Sequence, residues 1–373
     1  MEVEKYFVER DELEAEEYRE LLNKAREKLK SLDKLRYISF IMLKPDAVAR
    51  GLVNKILSEF HSRGIYPVKG KIVQMGSREI DELYKFVKIK YADSWWVMPK
   101  VFRLAPCVPC IVVGDPREYD TLSHRIRAEI GPTTPAAGGP NHMRYMFKGG
   151  NRVFNLIHAG DDPAASLREA LVFFTWDEIA EVLNKLDLSS LSETGEWRAP
   201  EEISRYEFSD DIGLASVLAR VKERAAEVIE KCIGEELKEL RKLLSDERKC
   251  STEEISEIRR RLREVWSRES EVLAEAARIV EEKARSILRE AESIETKRKE
   301  VENAVNALDA IEVFRSLLSE RSIISDRFEV MLAKAIRLGL VKSDWEEAFL
   351  HTYWATGKQM LKDLMEKKGE DAI

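Results

Sequence analysis

The feature that most limits the fold of this chain is a change in the spacing of its apolar residues partway along it. Up to about residue 186 two spacings alternate. "YISFIMLK" (37–44) is an unbroken apolar run of the kind a buried strand needs, and "IYPVKGKIVQM" (65–75) alternates like a half-exposed strand. "CVPCIVVG" (107–114) and "VFNLIHAG" (153–160) add two further strands. "LVNKILSEFHSRG" (52–64), "REIDELYKFVKIKYA" (78–92), "YDTLSHRIRAEIG" (119–131) and "PAASLREALVFF" (163–174) instead place apolar residues every three or four positions, as helices do. Strands separated by helices predict an α+β arrangement, a ferredoxin-like α/β sandwich.

From Ile212 to the end the strand-like alternation disappears. Leu214, Leu218, Val221, Ala225, Val228 and Cys232 recur at helical spacing, and so does a run from Ile255 past Ala291 and Ile294 to Val301, Val305 and Leu308. Residues 252–318 contain neither glycine nor proline, so nothing local ends a helix there. Ser251 and Glu254 have the spacing of a capping box opening this run. The expected architecture is an all-α helical hairpin or coiled coil, closed by a smaller helical unit after Ser325. The chain therefore divides into an N-terminal helical extension (1–36), an α/β domain (37–187), a polar linker (188–211) and an α-helical domain (212–373).

Composition excludes several classes. With a net charge of −7 and 35% charged residues, the 373-residue chain has no global attraction to nucleic acid or anionic membrane. No apolar run approaches the roughly 20 residues of a membrane span, and the acidic opening "MEVEKYFVERDELEAEEYRE" is unlike a secretory leader. The expected compartment is cytoplasmic. Cys107 and Cys110 form a C-x-x-C spacing, but no second pair exists to complete a zinc site. The pair also runs into a strand rather than a helix N-terminus, which argues against a lowered thiol pKa and redox chemistry.

The residues that carry chemistry precede residue 170. Lys44 stands at the end of the first strand, where it can reach a phosphate. Arg127, Thr133 and Arg144 lie in or beside the turn-rich "GPTTPAAGGPNHM", and His158 ends the last strand. A lysine, two arginines, a hydroxyl and one histidine suit a polyphosphate, because phosphoryl transfer asks mainly for positioning and charge neutralisation. Histidine can itself take the phosphoryl group covalently. Glu169, on the following helix, can turn back to hold the ring. Taken singly, a lysine after a strand or a lone histidine is more often an ordinary polar residue. Asp46 reads as a turn residue, Asp161 as a helix cap, and His61, His124, His142 and His351 as incidental.

Together these residues resemble the nucleoside diphosphate kinase family over about residues 37–186. "NLIHAGD" (155–161) is similar to that family's N-x-x-H block, "KPDAVARGLV" (44–53) to its opening, and "RAEIGPTTP" (127–135) to its R-x-x-x-G-x-T-x-P. Arg144 follows that proline by nine residues, Glu169 follows the histidine by eleven, and Tyr84 stands where the family has an active-site tyrosine. The resemblance implies a kinase passing the γ-phosphate of ATP or another NTP to an NDP through phospho-His158. It implies that Glu169 orients the imidazole, that Lys44, Arg127, Thr133 and Arg144 hold phosphates, and that Tyr84 touches Lys44 or the moving phosphate. Asn155 with Lys44 would bind the sugar 3′-hydroxyl, and Trp95 or Trp96 would stack on the base. It also implies Mg²⁺ held through the nucleotide phosphates, not by a protein site, and a homo-oligomer. The alternative is a nucleotide-binding scaffold or a protein-histidine phosphodonor working through the C-terminal helices, which would carry the protein partner. The sequence departs from the family at Ala47 (usually glycine), at Gly160 (usually serine), in "PNHMRYMF" around Arg144 and in extra residues around "DPREYDTL". Loss of the serine hydroxyl that supports the glutamate would cost about 1 kcal/mol and about tenfold in rate.

Overall fold

The structure is a computed structural model and describes residues 3–193, 196–208, 210–250, 255–290 and 297–370. It contains two compact units, Met1–Asp210 and Asp211–Ile373.

The first unit is built on four strands, β1 (Ile38–Leu43), β2 (Ile65–Gly70), β3 (Val108–Gly114) and β4 (Ile157–Ala159). They form one antiparallel sheet in the order β2-β3-β1-β4. This is the ferredoxin-like sandwich the alternation predicts. β1 and β3 occupy the centre and are buried along their whole length, which is why both read as unbroken apolar runs. β2 lies at an edge, where Pro67 is tolerated, and its pairing shifts between Pro67 and Lys69. The register sets Met42 opposite His158, so the start of β4 lies beside the end of β1 and its Lys44. Cys107 and Cys110 are buried and free, and burial pushes both thiols up, as expected of inert strand cysteines.

The principal helices here are α1 (Glu12–Lys28), α2 (Pro45–Ala49), α3 (Val53–Ser62), α4 (Ser77–Leu83), α5 (Leu122–Ile130), α6 (Pro163–Ala170) and α7 (Trp176–Lys185). The helix expected over 78–92 is broken. It ends at Leu83, and a second helix runs from Lys85 to Lys90. Tyr84 is the junction residue (φ −107°, ψ 20°), and its ring enters the core cluster. α1 is part of the α/β unit: Tyr18, Leu21, Leu22 and Ala25 join the same apolar cluster as β1 and α6.

The stretch 188–211, expected to be a linker, packs on the α/β unit instead. The Trp197 amide donates to the Pro67 carbonyl (2.6 Å), Asn54 and Ala199 exchange two hydrogen bonds (3.2 and 3.1 Å), and the Phe208 amide donates to Ala49 (2.8 Å). A polar, turn-rich composition describes such a strap as well as a free linker, so the boundary falls at Asp210, not 187.

The second unit is all helical, as its spacing requires. Its principal helices are α8 (Leu214–Ile233), α9 (Lys238–Lys249), α10 (Ile255–Glu290), α11 (Arg298–Ser316), α12 (Phe328–Arg337) and α13 (Asp344–Glu370). The uninterrupted helix expected over 252–318 is two helices, and α11 folds back against both α10 and α8. A bundle results in place of an extended hairpin, because doubling back buries Ala304, Ala307, Ile311 and Phe314 within the chain. The capping box at Ser251–Glu254, and Ala291 and Ile294 of the apolar stripe, lie outside the described residues.

The centre of this bundle holds a charged cluster. Lys222 Nζ lies 2.7 Å from Glu247 Oε2 and 2.6 Å from Glu269 Oε2, all three side chains being fully buried. Trp266 Nε1 donates to Glu247 Oε1 (2.6 Å), and the rings of Trp266 and Phe314 flank the ammonium. One cation faces two carboxylates, so burial, with Glu247 adding, raises Glu269 from 4.5 to about 8 against the opposing pull of Lys222. Because the folded-state value is the higher one, the stabilisation is complete below the unfolded value and is lost as pH rises toward about 8. Wild-type protein should lose stability between about pH 5 and pH 8, by at most about 1.4 kcal/mol per pH unit, and Glu269→Gln should flatten that slope. Thermal melts across this range check it; an unchanged slope in the variant would place the proton elsewhere.

Candidate active site

The site is built around a strained turn. Leu156 adopts φ +70°, which L side chains rarely take. Three hydrogen bonds hold it there. The Ile157 amide donates to the Asn155 carbonyl (2.8 Å), the Leu156 amide to Asp46 Oδ2 (3.0 Å), and the Lys44 amide to the Leu156 carbonyl (2.9 Å). Asp46 lies at the start of α2 and is buried. The sequence reads it as a turn or cap residue, and its carboxylate fastens not its own turn but the distant one before His158. Its spacing from Leu156, 110 residues, leaves no local signal.

Beyond the turn, His158 Nε2 lies 2.8 Å from Glu169 Oε2. Nδ1 has no hydrogen-bond partner among the described residues, and the ring is 18% exposed, so that nitrogen remains available. The rings of Tyr84 (5.1 Å) and Phe40 (6.3 Å) meet the imidazole edge to face and fix its plane. Tyr84 also touches Trp95 (5.8 Å) and Phe102 (5.8 Å), and burial raises its hydroxyl well above the usual value, so the hydroxyl stays protonated.

Three cationic side chains are held on neighbouring segments, Arg144 acting electrostatically on Lys44 and Arg127 on Arg144. Lys44 Nζ donates to Asn155 Oδ1 (2.9 Å) and to the Val153 carbonyl. Burial pushes it down to about 8, with Asp46 opposing. Arg144 is buried and donates to the Ile157 carbonyl (3.1 and 2.5 Å) and the Gly131 carbonyl (2.8 Å), so it braces β4 directly before His158. Burial, helped by the charge of Arg127, lowers it to about 10. Arg127 is 39% exposed and its Nε lies 3.0 Å from Asp161. Asp161 is thus an ion-pair partner; the cap of α6 is Asp162, whose Oδ1 accepts from the Ala164 and Ala165 amides (2.9 Å each). Thr133 is exposed, and its carbonyl accepts from Asn155 Nδ2 (3.0 Å). Trp95 joins the site through Tyr84, whereas Trp96 is 38% exposed with Lys100 over its ring. Among the described residues no cluster of three or more His, Cys, Asp or Glu side chains is arranged to hold a metal.

Gly160 differs from the expectation drawn from the resemblance. A Cβ there would stand 2.4 Å from Ser166 Oγ and 2.7 Å from the Ser166 backbone. That space is taken by a buried triangle of hydroxyls, Ser39, Ser123 and Ser166, at 3.0–3.1 Å. The other oxygen of Glu169 is faced by Arg168, Nη2 lying 3.6 Å from Oε1. Gly160→Ser should therefore destabilise the α/β unit by about 1–3 kcal/mol and should not raise activity. Urea melts with parallel assays test this; a variant of wild-type stability and higher turnover would contradict it.

Residues 38–179 match the nucleoside diphosphate kinase family. The protein of that name from Chloroflexus aggregans is 32% identical over 146 residues, covering 38% of this chain and 89% of that protein. The one from Methanocorpusculum labreanum is 32% identical over 157 residues, covering 42% of this chain and 98% of that protein. A solved structure, the halophilic nucleoside diphosphate kinase of Halobacterium salinarum in complex with CDP, is 25% identical, covers 43% of this chain and 98% of that one, and gives a TM-score of 0.36. Through its α/β unit the chain belongs to the nucleoside diphosphate kinase family; the family match ends at residue 179, before the helical unit.

Proposed function

We propose that the α/β unit transfers the γ-phosphoryl group of a nucleoside triphosphate to a nucleoside diphosphate through a phosphohistidine on His158. The observation that carries this reading is the held imidazole: Glu169 takes Nε2, and no hydrogen bond among the described residues engages Nδ1. In the first half-reaction the Nδ1 lone pair attacks the γ-phosphorus, and the bond to the β–γ bridging oxygen breaks. The diphosphate leaves with that electron pair. In the second half an acceptor diphosphate oxygen takes the phosphoryl group and returns the lone pair to Nδ1. Glu169 stabilises the positive charge that the ring carries while phosphorylated.

Lys44, Arg127 and Arg144 supply charge along the phosphates, and Thr133 offers an exposed hydroxyl beside them. The protonated Tyr84 hydroxyl donates toward the moving group or toward Lys44. Asn155 and Lys44, already in contact, suit the sugar hydroxyl, and the base stacks on the Trp95–Trp96 corner. The cationic lining fits phosphate rather than a bare metal ion, so Mg²⁺ arrives on the nucleotide and neutralises phosphate oxygens. No helix among the described residues is long and apolar enough to cross a membrane.

Incubation with γ-labelled ATP should give an acid-labile phosphoenzyme that is discharged by added diphosphate. His158→Ala should abolish the label, and Glu169→Gln should slow its formation. Undiminished label in His158→Ala would rule out this mechanism.

A further inference from the structure

The residues that precede the family match make contacts that end on the catalytic pair. Arg10 Nη2 donates to both oxygens of Asp162 (2.7 Å each), with the two side chains only 13% and 12% exposed. Asp162 is the N-cap of α6, the helix that carries Glu169. The Arg10 guanidinium lies 3.9 Å over the ring of Tyr18, a buried residue of α1. The charge of Arg168 acts on the Tyr18 hydroxyl, so the two groups lie near one another. Burial holds that hydroxyl protonated, pushed up to about 12.

Arg168 then branches. Nη1 and Nη2 donate to the carbonyls of Glu82 (2.7 Å) and Leu83 (3.0 Å), the residues directly before Tyr84, and Nη2 faces Glu169 Oε1. One guanidinium thus braces both side chains that touch the imidazole. The contacts are Arg10–Asp162 at the start of α6 and, near its end, Arg168 with Glu169 and with the Glu82 and Leu83 carbonyls. A helix pinned at both ends cannot slide or roll, and a carboxylate with both oxygens engaged keeps one orientation.

We infer that the N-terminal segment is a positioning element for the active site, in which Arg10, seated on the Tyr18 ring, acts through Asp162 to fix α6 and so hold Glu169 against His158 Nε2. Its consequence is tautomeric. Glu169 accepts from Nε2–H and so leaves the Nδ1 lone pair free for attack. When the hold loosens, the ring samples the other tautomer and rotated positions, which lowers the rate of phosphohistidine formation without altering nucleotide affinity. This inference rests on the kinase reading for its kinetic consequence, but the ring state is readable without it.

The test uses full-length Arg10→Ala and Tyr18→Leu, the second removing the ring on which the guanidinium rests. Each should slow single-turnover labelling by about three- to tenfold at unchanged KM for the diphosphate. Nitrogen NMR of His158 should show a mixed tautomer where wild type shows Nε2–H alone. In a Glu169→Gln background neither change should slow labelling further, because the route to the ring is already cut. If wild type forms no phosphohistidine while the tautomer still follows the variants, the kinase reading fails and the positioning role stands. Wild-type rate and tautomer in both variants, or an equal slowing in the Glu169→Gln background, would overturn it and leave Arg10 and Tyr18 as packing residues.

Discussion

The turn at Leu156 goes against the steric preference of its own side chain, and the active site depends on that turn being held. A leucine in the left-handed region costs on the order of 1–3 kcal/mol. Asp46 and the Lys44 amide, both from the segment directly after β1, take its amide and carbonyl, and Asn155 closes the turn internally. The strand end that supplies a cation to the site therefore also supplies the clamp that shapes it. Arg144 adds a second brace on the Ile157 carbonyl. Phosphoryl transfer asks a protein mainly for position and charge, and here the same few side chains provide both.

The two units solve burial of charge differently. In the α/β unit, buried Lys44 and Arg144 are tied to carbonyls and an amide, and the charge of Asp46 acts on both. In the helical bundle, Lys222 is enclosed by two carboxylates, and the excess negative charge is relieved by proton uptake at Glu269. Removing one member of such a group typically costs several kcal/mol, because the remaining charges stay buried.

Much of the site was legible because its residues sit in short blocks whose spacing is set locally: Asn155 and His158 bracket one turn, and Arg127 and Thr133 flank one helix end. The sheet was legible because β1 and β3 are buried on both faces and read as unbroken apolar runs. What escaped the sequence acts across distance or against local preference. Asp46 reaches Leu156 and Arg10 reaches Asp162 over more than a hundred residues, with no periodic pattern to mark either. Asp161 and Asp162 are equivalent as letters, and only the backbone at Pro163 decides which one caps. Tyr84 interrupts a segment whose apolar spacing favours one helix. The stretch 252–318 lacks any breaker, yet tertiary packing makes two helices of it, since folding back buries more apolar surface than extension. Nothing in the letters around Gly160 marks Ser166 as the side chain against which a Cβ there would stand.

The central claim is that Glu169 reserves Nε2 and leaves Nδ1 as the nucleophile. Phosphorus and nitrogen NMR of the intact phosphoenzyme tests this most directly, since the two phosphohistidine isomers are spectroscopically distinct. The account predicts one phosphorylated residue, His158, carrying the group on Nδ1 with the Nε2 proton still held by Glu169. Phosphate on Nε2, or on any other residue, would contradict it.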